Sequence, residues 1–364
     1  MNRRSFLATA ALASVLPGAI KAAPASGDQQ AGFLPPDHPL QEAWRAWKTL
    51  CLLPEGRIVD QFQDAASHSE GQGYGLTLAA LFGDHEAAEA IINWTEHELN
   101  QRGDGLLSWR WRPETTPHVQ DPNNASDGDL FYAWGLALMG NREGRLELIE
   151  RAARTVDALL AHCVAEHPDG SGRQVLLPGA VGFQYEDALV LNPSYYMPRA
   201  MRDLSRITGR STLAKLADDG EALIDELARD SLVPDWISLT AEGPAVAPDN
   251  MSRRSGYEAI RVPLFALWSD RAQAPAVTAY SRALAAAGPQ PGATTVFDPA
   301  TGEVLEHSSH AGYAAIAALA TCATSNRVGS LMPAFSDQQP YYPATLHLMT
   351  LVIQATVFPR CVPI

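Results

Sequence analysis

The chain has 364 residues, of which 46% are hydrophobic, and it carries a formal net charge of −14. This length and composition are typical of a globular protein, and the 26 prolines and 27 glycines are spread along the chain as in turns, which excludes a long disordered tract. Because an acidic surface repels phosphate backbones, nucleic acid is excluded as a partner.

The N-terminus has the pattern of a secretory signal. Arg3 and Arg4 precede an apolar run, Ala8–Leu16, which leads to an Ala-Pro-Ala stretch. The run is shorter than the about 20 residues that span a bilayer, and paired arginines are typical of twin-arginine export. We therefore expect a signal peptide over residues 1–25 and a periplasmic or secreted protein. An uncleaved anchor at the membrane surface is the alternative.

Helical patterns dominate the chain after a polar and flexible lead, which is predicted over residues 26–38. Apolar residues recur at three-to-four spacing, and several segments are apolar nearly all round, as in helices buried on two sides. No fixed repeat and no internal linker is visible, so residues 39–364 are predicted to be one all-α domain of stacked or circularly closed helix pairs. The predicted helices are 39–52, 70–83, 85–101, 128–139, 145–166, 194–207, 212–229, 256–269, 273–287, 309–322 and 341–357. The predicted short hairpins are Gln174–Pro178 with Val181–Phe183, and Ala293–Leu305.

The four cysteines are widely spaced and form no C-x-x-C motif. In an oxidising compartment one bridge is expected, with Cys322–Cys361 the favoured pair, and buried free thiols are an equal alternative. His307 and His310 have helical spacing, but the sequence offers no evident third ligand. We therefore predict neither a metal nor another cofactor.

The segment Ser67–Gly75 combines three alternate glycines with one acid at the start of a predicted helix. Each glycine costs the helix up to ~1 kcal/mol relative to alanine, so close approach of a backbone or a ligand is expected there. Burial of Glu70 beside Tyr74 would raise the pKa of its carboxyl group and make it a general acid. The alternative is an N-terminal glutamate that the helix dipole stabilises.

The segment Asp121–Asp129 carries acids and amides before the next helix. Ser126 or Asp127 is a suitable N-cap, but capping does not explain the second acid, Asp129. The twelve-residue calcium-loop pattern with its glutamate is missing. Taken alone, this segment favours structural capping.

A third acid, Glu258, lies three residues before Arg261, so on a helix the two side chains would share a face. A surface ion pair is the simplest interpretation of this pair taken alone. Aromatic residues cluster in polar loops, where their faces suit the flat apolar faces of sugar rings. Together with the isolated carboxylates they indicate a carbohydrate ligand. These aromatics are Trp109, Trp111, Tyr195, Tyr196, Trp236, Tyr341 and Tyr342.

Four segments jointly resemble the landmarks of glycoside hydrolase family eight, in the order of that family. They are Ser69–Gly75, Asn124–Asp129, Asn192–Tyr195 and Tyr257–Pro263. The resemblance covers residues from about 42 to 355 and implies an (α/α)6 barrel with a long groove across one end, β-1,4-glucan as the substrate, and inversion at the anomeric carbon. It is closest to the endoglucanases that accompany bacterial cellulose synthase, through Glu55–Asp60, Leu177–Phe183 and Pro234–Trp236.

The resemblance also implies catalytic roles. Glu70 would be the general acid, Glu258 stands at the position of the general base, and Asp127 would bind and distort a sugar ring. Tyr195 and Arg261 would help to hold the attacking water. The residues expected to bind substrate are Trp109, at the position that stacks on a glucose ring, Tyr195, Arg261, Tyr257 and Tyr342.

One position departs from the family, which carries aspartate where this chain has Glu258. The longer side chain moves the carboxylate oxygens by roughly 1 Å, and misplacement on that scale can cost about a hundredfold in rate. We expect the backbone to retreat and compensate. A slow enzyme, or a neighbouring acid that serves as the base, are the alternatives.

The sequence therefore predicts a monomeric endo-β-1,4-glucanase that trims glucan during bacterial cellulose synthesis, with the cellulose synthase complex as a possible partner. One alternative keeps the family and changes the substrate to chitosan, xylan or mixed-linkage glucan. Another is a catalytically weakened accessory protein that only binds glucan.

Overall fold

The computed structural model describes residues 33–325 and 327–363, so the predicted signal peptide lies outside the described residues. Of the predicted lead, residues 33–38 are described. Leu34 is buried there, and its N–H donates to the carbonyl of Leu81 at 2.8 Å. This end of the segment therefore packs against the helices, although its composition predicts a flexible lead.

Eleven α-helices occur in the described chain, at the eleven places where the sequence predicts them. They are α1 Gln41–Cys51, α2 Ser69–Phe82, α3 His85–Glu98, α4 Ser126–Glu143, α5 Leu146–His162, α6 Pro198–Thr208, α7 Thr212–Leu227, α8 Arg261–Trp268, α9 Pro275–Ala287, α10 Ala311–Ala323 and α11 Tyr341–Thr356. None of the described helices is both long enough and apolar enough to cross a bilayer.

The interior of the fold consists of helices that are buried on nearly every face. All eight residues of α8 are buried, and α2, α4 and α11 are buried along almost their whole length. The first helix of the chain contacts the last, since Trp47 in α1 donates its Nε1–H to Thr345 in α11 at 3.0 Å. The helix pairs thus form a closed α/α barrel. Between α10 and α11, the described residues of 324–340 contain no helix.

Glycines let α2 and α4 approach each other backbone to backbone. A Cβ on Gly73 would lie 2.8 Å from the carbonyl oxygen of Gly128, and one on Gly128 would lie 2.6 Å from the backbone nitrogen of Glu70. The cost of these glycines to the helices is therefore offset by close packing. The close approach that the sequence predicts at this segment is to a neighbouring helix, and it fixes the start of α2 against the start of α4.

In the described residues, short antiparallel strands between the helices form four small sheets. They are β1 Ser67–His68 with β2 Arg110–Trp111, β3 Val164–Glu166 with β4 Gln174–Leu176, β5 Leu189–Leu191 with β6 Ile237–Thr240 and β7 Gly243–Val246, and β8 Ala293–Phe297 with β9 Val304–Ser308.

One predicted hairpin is wrong and the other is confirmed. Gln174–Leu176 pairs with Val164–Glu166 and not with Val181–Phe183. The reason is that Pro178 leaves the strand and its carbonyl accepts the N–H of Ser126 at 2.9 Å, which holds the chain against α4. The hairpin predicted within Ala293–Leu305 is present as β8 and β9.

The cysteines divide into a bridge and two thiols. Cys322 in α10 and Cys361 form the favoured disulfide, with their Cα atoms 5.9 Å apart. Cys51 and Cys163 are buried free thiols, the other arrangement that the sequence left open. The disulfide joins the C-terminal residues to α10, beside the helix that follows in the chain, α11.

Candidate active site

The start of α2 is held in place from several directions. The N–H of Ser69 donates to the carbonyl of Trp109 at 3.0 Å, and β1 pairs with β2 just before the helix begins. Gln72 is fully buried and accepts the N–H of Ile58 at 2.7 Å, while its amide donates to Thr95 at 2.9 Å. Glu70, in the first turn between these anchors, therefore projects from a rigid position.

Arg261 is the centre of the site. Its side chain is 1% exposed and lies in the first turn of α8. One terminal nitrogen contacts the carboxyl of Glu70, and the other contacts the carboxyl of Glu258. The further oxygens around the guanidinium are those of Tyr74 at 3.0 Å, Asp127 at 3.4 Å and Ser194 at 2.7 Å. The interpretation of Glu258 and Arg261 as a surface ion pair is therefore wrong.

Three carboxyl groups surround this single guanidinium, so the site favours retention of protons. Burial raises the pKa of Glu70; the charge of Arg261 opposes this rise, and the charge of Glu258 adds to it. Burial raises the pKa of Asp127 to about 8, again against the charge of Arg261. The Glu258 side chain is 38% exposed, against 22% for Glu70 and 2% for Asp127. The two more buried acids therefore hold protons to a higher pH than they would in water.

Asp127 does not cap its helix, which is a correction to the sequence interpretation. Helix α4 begins at Ser126, so both candidate caps lie inside its first turn, and Ala125 occupies the N-cap position. One Asp127 oxygen accepts the N–H of Gly128 at 2.8 Å, and the other faces Arg261. Asp129 has the structural role instead, because it accepts the N–H of Leu107 at 2.8 Å.

Glu258 lies in a turn that precedes α8. The sequence predicts a helix from residue 256, but the helix begins at Arg261. The Oε2 atom of Glu258 contacts Arg261 and also accepts a hydrogen bond from Asn192 Nδ2 at 3.1 Å. Within the described parts of the chain, no hydrogen bond reaches its other oxygen, Oε1. One oxygen is thus fixed by donors, and the other is available to accept a proton.

Aromatic side chains form one wall beside the carboxyl groups. The Tyr195 ring lies 5.6 Å from the guanidinium of Arg261 and meets the Trp236 ring edge-on at 6.2 Å. Phe183 stacks on Trp236 with the ring centroids 6.0 Å apart. Such ring faces suit sugar rings, and the sequence predicts Tyr195 at this place.

Trp109 lies further along, next to β2. Its Nε1–H donates to Asp121 at 2.9 Å, and its ring stacks at 6.0 Å on His68, which precedes α2. It makes no hydrogen bond to the three carboxyl groups and is joined to Glu70 through the backbone of Ser69. The structure therefore places Trp109 beside the start of α2, outside the cluster around Arg261.

Two further tyrosines lie at the turn that bears Glu258. Tyr257 is 42% exposed, and its hydroxyl donates to Glu306 at 3.2 Å. Tyr342 donates its hydroxyl to the carbonyl of Tyr257 at 2.5 Å, which ties α11 to the turn that bears Glu258. Both substrate-binding candidates on this side thus lie beside the catalytic candidates.

Three residues that complete the site were named in the sequence only as members of larger groups, and no role was predicted for them. Tyr341 donates its hydroxyl to Glu70 at 3.4 Å, and Ser194 and Asn192 contact Arg261 and Glu258. Asn192 and Ser194 lie in the Asn-Pro-Ser-Tyr segment, and Tyr341 adjoins Tyr342. Their position next to predicted site residues is the sequence signal by which these three residues could have been found.

Among residues 33–325 and 327–363, no three histidine, cysteine or carboxylate side chains are grouped so that they could hold a metal ion.

The chain matches a known protein family over most of its length. Residues 25–356 match the model of glycosyl hydrolases family 8. Because the match covers most of the chain, the protein belongs to this family of hydrolases.

Relatives and solved structures give the same result. An endoglucanase of Cellulomonas uda is 34% identical over 63% of this chain and 64% of its own length. A probable endoglucanase of Novacetimonas hansenii is 35% identical over 64% of this chain and 68% of its own. The alignments thus span about two thirds of these relatives.

Among solved structures, an endo-β-1,4-glucanase of Acetobacter xylinum matches with a TM-score of 0.79 and 30% identity, over 89% of this chain and 99% of that chain. A family 8 endoglucanase of Klebsiella pneumoniae matches with a TM-score of 0.77 and 29% identity, over 86% and 99%. The (α/α)6 barrel that the sequence predicts is confirmed by these matches.

Proposed function

We propose that this protein is an endo-β-1,4-glucanase that hydrolyses its substrate with inversion at the anomeric carbon. The names of its relatives and the aromatic wall beside the carboxyl groups support this substrate class. The observation that carries the proposal is the placement of Glu70 and Glu258 on different nitrogens of one buried guanidinium. Two acids 188 positions apart in the chain thereby meet in one cleft.

Arg261 sets an upper limit on the separation of the two acids. Two ordinary hydrogen bonds and the width of one guanidinium set an upper limit of about 8 Å between the bonded oxygens. Inverting glycosidases hold their carboxyl groups about 6.5–9.5 Å apart to admit a water, whereas retaining enzymes hold them at about 5–5.5 Å. The upper limit includes both separations, so inversion is proposed from the family and not from this distance.

The two acids divide the proton transfers between them. Glu70, whose pKa is raised by burial, donates its proton to the glycosidic oxygen as the bond to the anomeric carbon breaks. Glu258 accepts a proton on Oε1 from a water that attacks the opposite face of the sugar. Arg261 and Asn192 hold the other oxygen of Glu258, so the base keeps its orientation. The leaving hydroxyl carries the proton from Glu70, and the new hydroxyl has the inverted configuration.

The remaining candidates bind and orient the sugar. Asp127 lies on the same guanidinium and is placed to hydrogen-bond sugar hydroxyls and favour a distorted ring. Tyr195 stands over Arg261, where its hydroxyl helps to hold the attacking water. Trp109, beside the start of α2, and Tyr257, beside Glu258, offer ring faces for sugar rings. Binding energy from these rings is available to align the scissile bond with Glu70.

The Glu70→Gln variant tests the acid. We expect it to bind soluble cellulose derivatives but to release no reducing ends, because the amide has no acidic proton to donate. Proton NMR of the first product from a cello-oligosaccharide should show the α-anomer in the wild type. Retained turnover by Glu70→Gln would exclude Glu70 as the acid, and a β-anomer would exclude inversion.

A panel of polysaccharides tests the substrate. We expect soluble β-1,4-glucan to be cleaved faster than xylan, mixed-linkage glucan or chitosan. Chitosan is the informative competitor, because a polycation is attracted by a chain with a net charge of −14. Faster release of ends from chitosan than from glucan would replace the substrate in this proposal and leave the family unchanged.

The cellular role is part of the same proposal. The resemblance of Glu55–Asp60 and Leu177–Phe183 to endoglucanases of cellulose synthesis supports trimming of nascent glucan in the periplasm, after export of a chain cleaved near residue 25. N-terminal sequencing of the mature protein tests the cleavage. Co-purification with the cellulose synthase complex tests the partner, and normal cellulose in cells that lack the protein would contradict the role.

A further inference from the structure

The turn that carries Glu258 is built around one buried acid, Asp235. This side chain is 4% exposed and lies before β6, in a different part of the chain. Its Oδ1 accepts three backbone N–H groups, from Gly256 at 2.9 Å, Glu258 at 3.1 Å and Ala259 at 2.8 Å. Its Oδ2 accepts the hydroxyl of Ser252 at 2.6 Å.

Two features show that this arrangement is specific. Residue 256, two positions before Glu258, is a glycine that packs tightly against Asp235. A Cβ at this position would lie 2.9 Å from the Oδ2 atom of Asp235. The backbone N–H of Asp235 itself donates to the carbonyl of Arg254 at 2.7 Å, which closes the turn from the other side. The three N–H groups converge on one oxygen of Asp235, and the chain turns through residues 256–260 before α8 begins at Arg261.

From this geometry we infer that Asp235 is the positioning residue for the base, and that it sets where the carboxyl of Glu258 stands relative to Arg261. The inference rests on the proposed function, because it concerns the residue that would act as the base. Asp235 is not the base itself, because its oxygens are occupied by four donors and it is buried. Asp235 is therefore not the neighbouring acid that could serve as the base in place of Glu258.

Charge-assisted hydrogen bonds to a carboxylate are about twice as strong as those between neutral groups. Loss of the three backbone hydrogen bonds to Asp235 frees the backbone of residue 258. A shift of about 1 Å in a catalytic group can cost a hundredfold in rate. We therefore expect Asp235→Ala to lower kcat on a soluble β-1,4-glucan about a hundredfold, with KM within about twofold. Asp235→Asn retains an oxygen that accepts the three N–H groups, so we expect it to keep kcat within about tenfold of the wild type.

Asp84→Ala is the matched control. Asp84 is also a capping acid: it accepts the N–H of Ala87 at 3.1 Å and the indole N–H of Trp44 at 2.9 Å. It lies between α2 and α3, at the end of α2 away from Glu70. We expect Asp84→Ala to lower the melting temperature and to leave kcat per folded molecule unchanged.

Hydrogen exchange of the full chain separates this inference from the proposed function. In Asp235→Ala, the peptide covering residues 252–262 should exchange at least tenfold faster than in the wild type, and in Asp84→Ala it should not change. A wild type that cleaves no glucan would refute the proposed function. The exchange data would still show whether Asp235 holds the turn over residues 252–262. Unchanged exchange, or loosened exchange with full kcat, would overturn the positioning role. If Asp235→Ala does not fold, Asp235→Asn and Ser252→Ala give the same comparison at a smaller amplitude.

Discussion

Shortening the base by one methylene, Glu258→Asp, gives the sharpest test of the site. The Oε2 atom of Glu258 contacts Arg261 and Asn192, and its backbone is held by Asp235. An aspartate at this position withdraws the carboxyl by about 1 Å and loses those contacts, since the anchored backbone does not advance to restore them. Misplacement on that scale costs about a hundredfold in kcat, or ~2.7 kcal/mol in the activation free energy.

The assay is the initial rate of reducing-end release from carboxymethylcellulose, with melting curves to show that the variant is folded. Glu226→Asp is the control, because Glu226 lies on α7 and pairs with Arg173 at 2.8 Å, outside the group of side chains around Arg261. We expect the control to have wild-type activity. The family resemblance predicts the opposite result for Glu258→Asp, because members of that family carry aspartate at this position. A rise in kcat on Glu258→Asp would therefore refute the reasoning and support a weakened, glucan-binding accessory protein.

Three further predictions concern the surroundings of the site. Tyr341→Phe removes a hydrogen bond that favours ionised Glu70, so the pKa of the acid rises and the basic limb of the kcat/KM profile moves to higher pH; a shift to lower pH would contradict this. Replacing Cys322 and Cys361 by serine opens a bridge that spans 39 positions, which should lower the free energy of unfolding by about 4 kcal/mol in urea. Gly128→Ala places a Cβ 2.6 Å from the Glu70 backbone, so stability should fall by about 1–3 kcal/mol and kcat should fall with it.

Local sequence signals predicted the helices well. Apolar spacing and helix-ending glycines act within a few residues, and Gly83 and Gly144 adopt the left-handed conformation just after α2 and α4. The errors occur where a distant group competes for the backbone. The carbonyl of Pro178 accepts the N–H of Ser126 in place of the predicted hairpin, and residues 256–260 form a turn against Asp235 in place of the predicted helix start.

The sequence by itself determined the all-α class, the order of the helices and which acids were candidates, because these follow from periodicity and from motifs of a few residues. Only the tertiary structure decided that Arg261 is buried between Glu70 and Glu258, since the two acids come from different helix starts that meet on barrel closure. Burial and the pKa of an acid depend on every group packed around it, and most of those groups are distant in the chain. The same holds for the anchor at Asp235, whose partners lie more than 15 residues away.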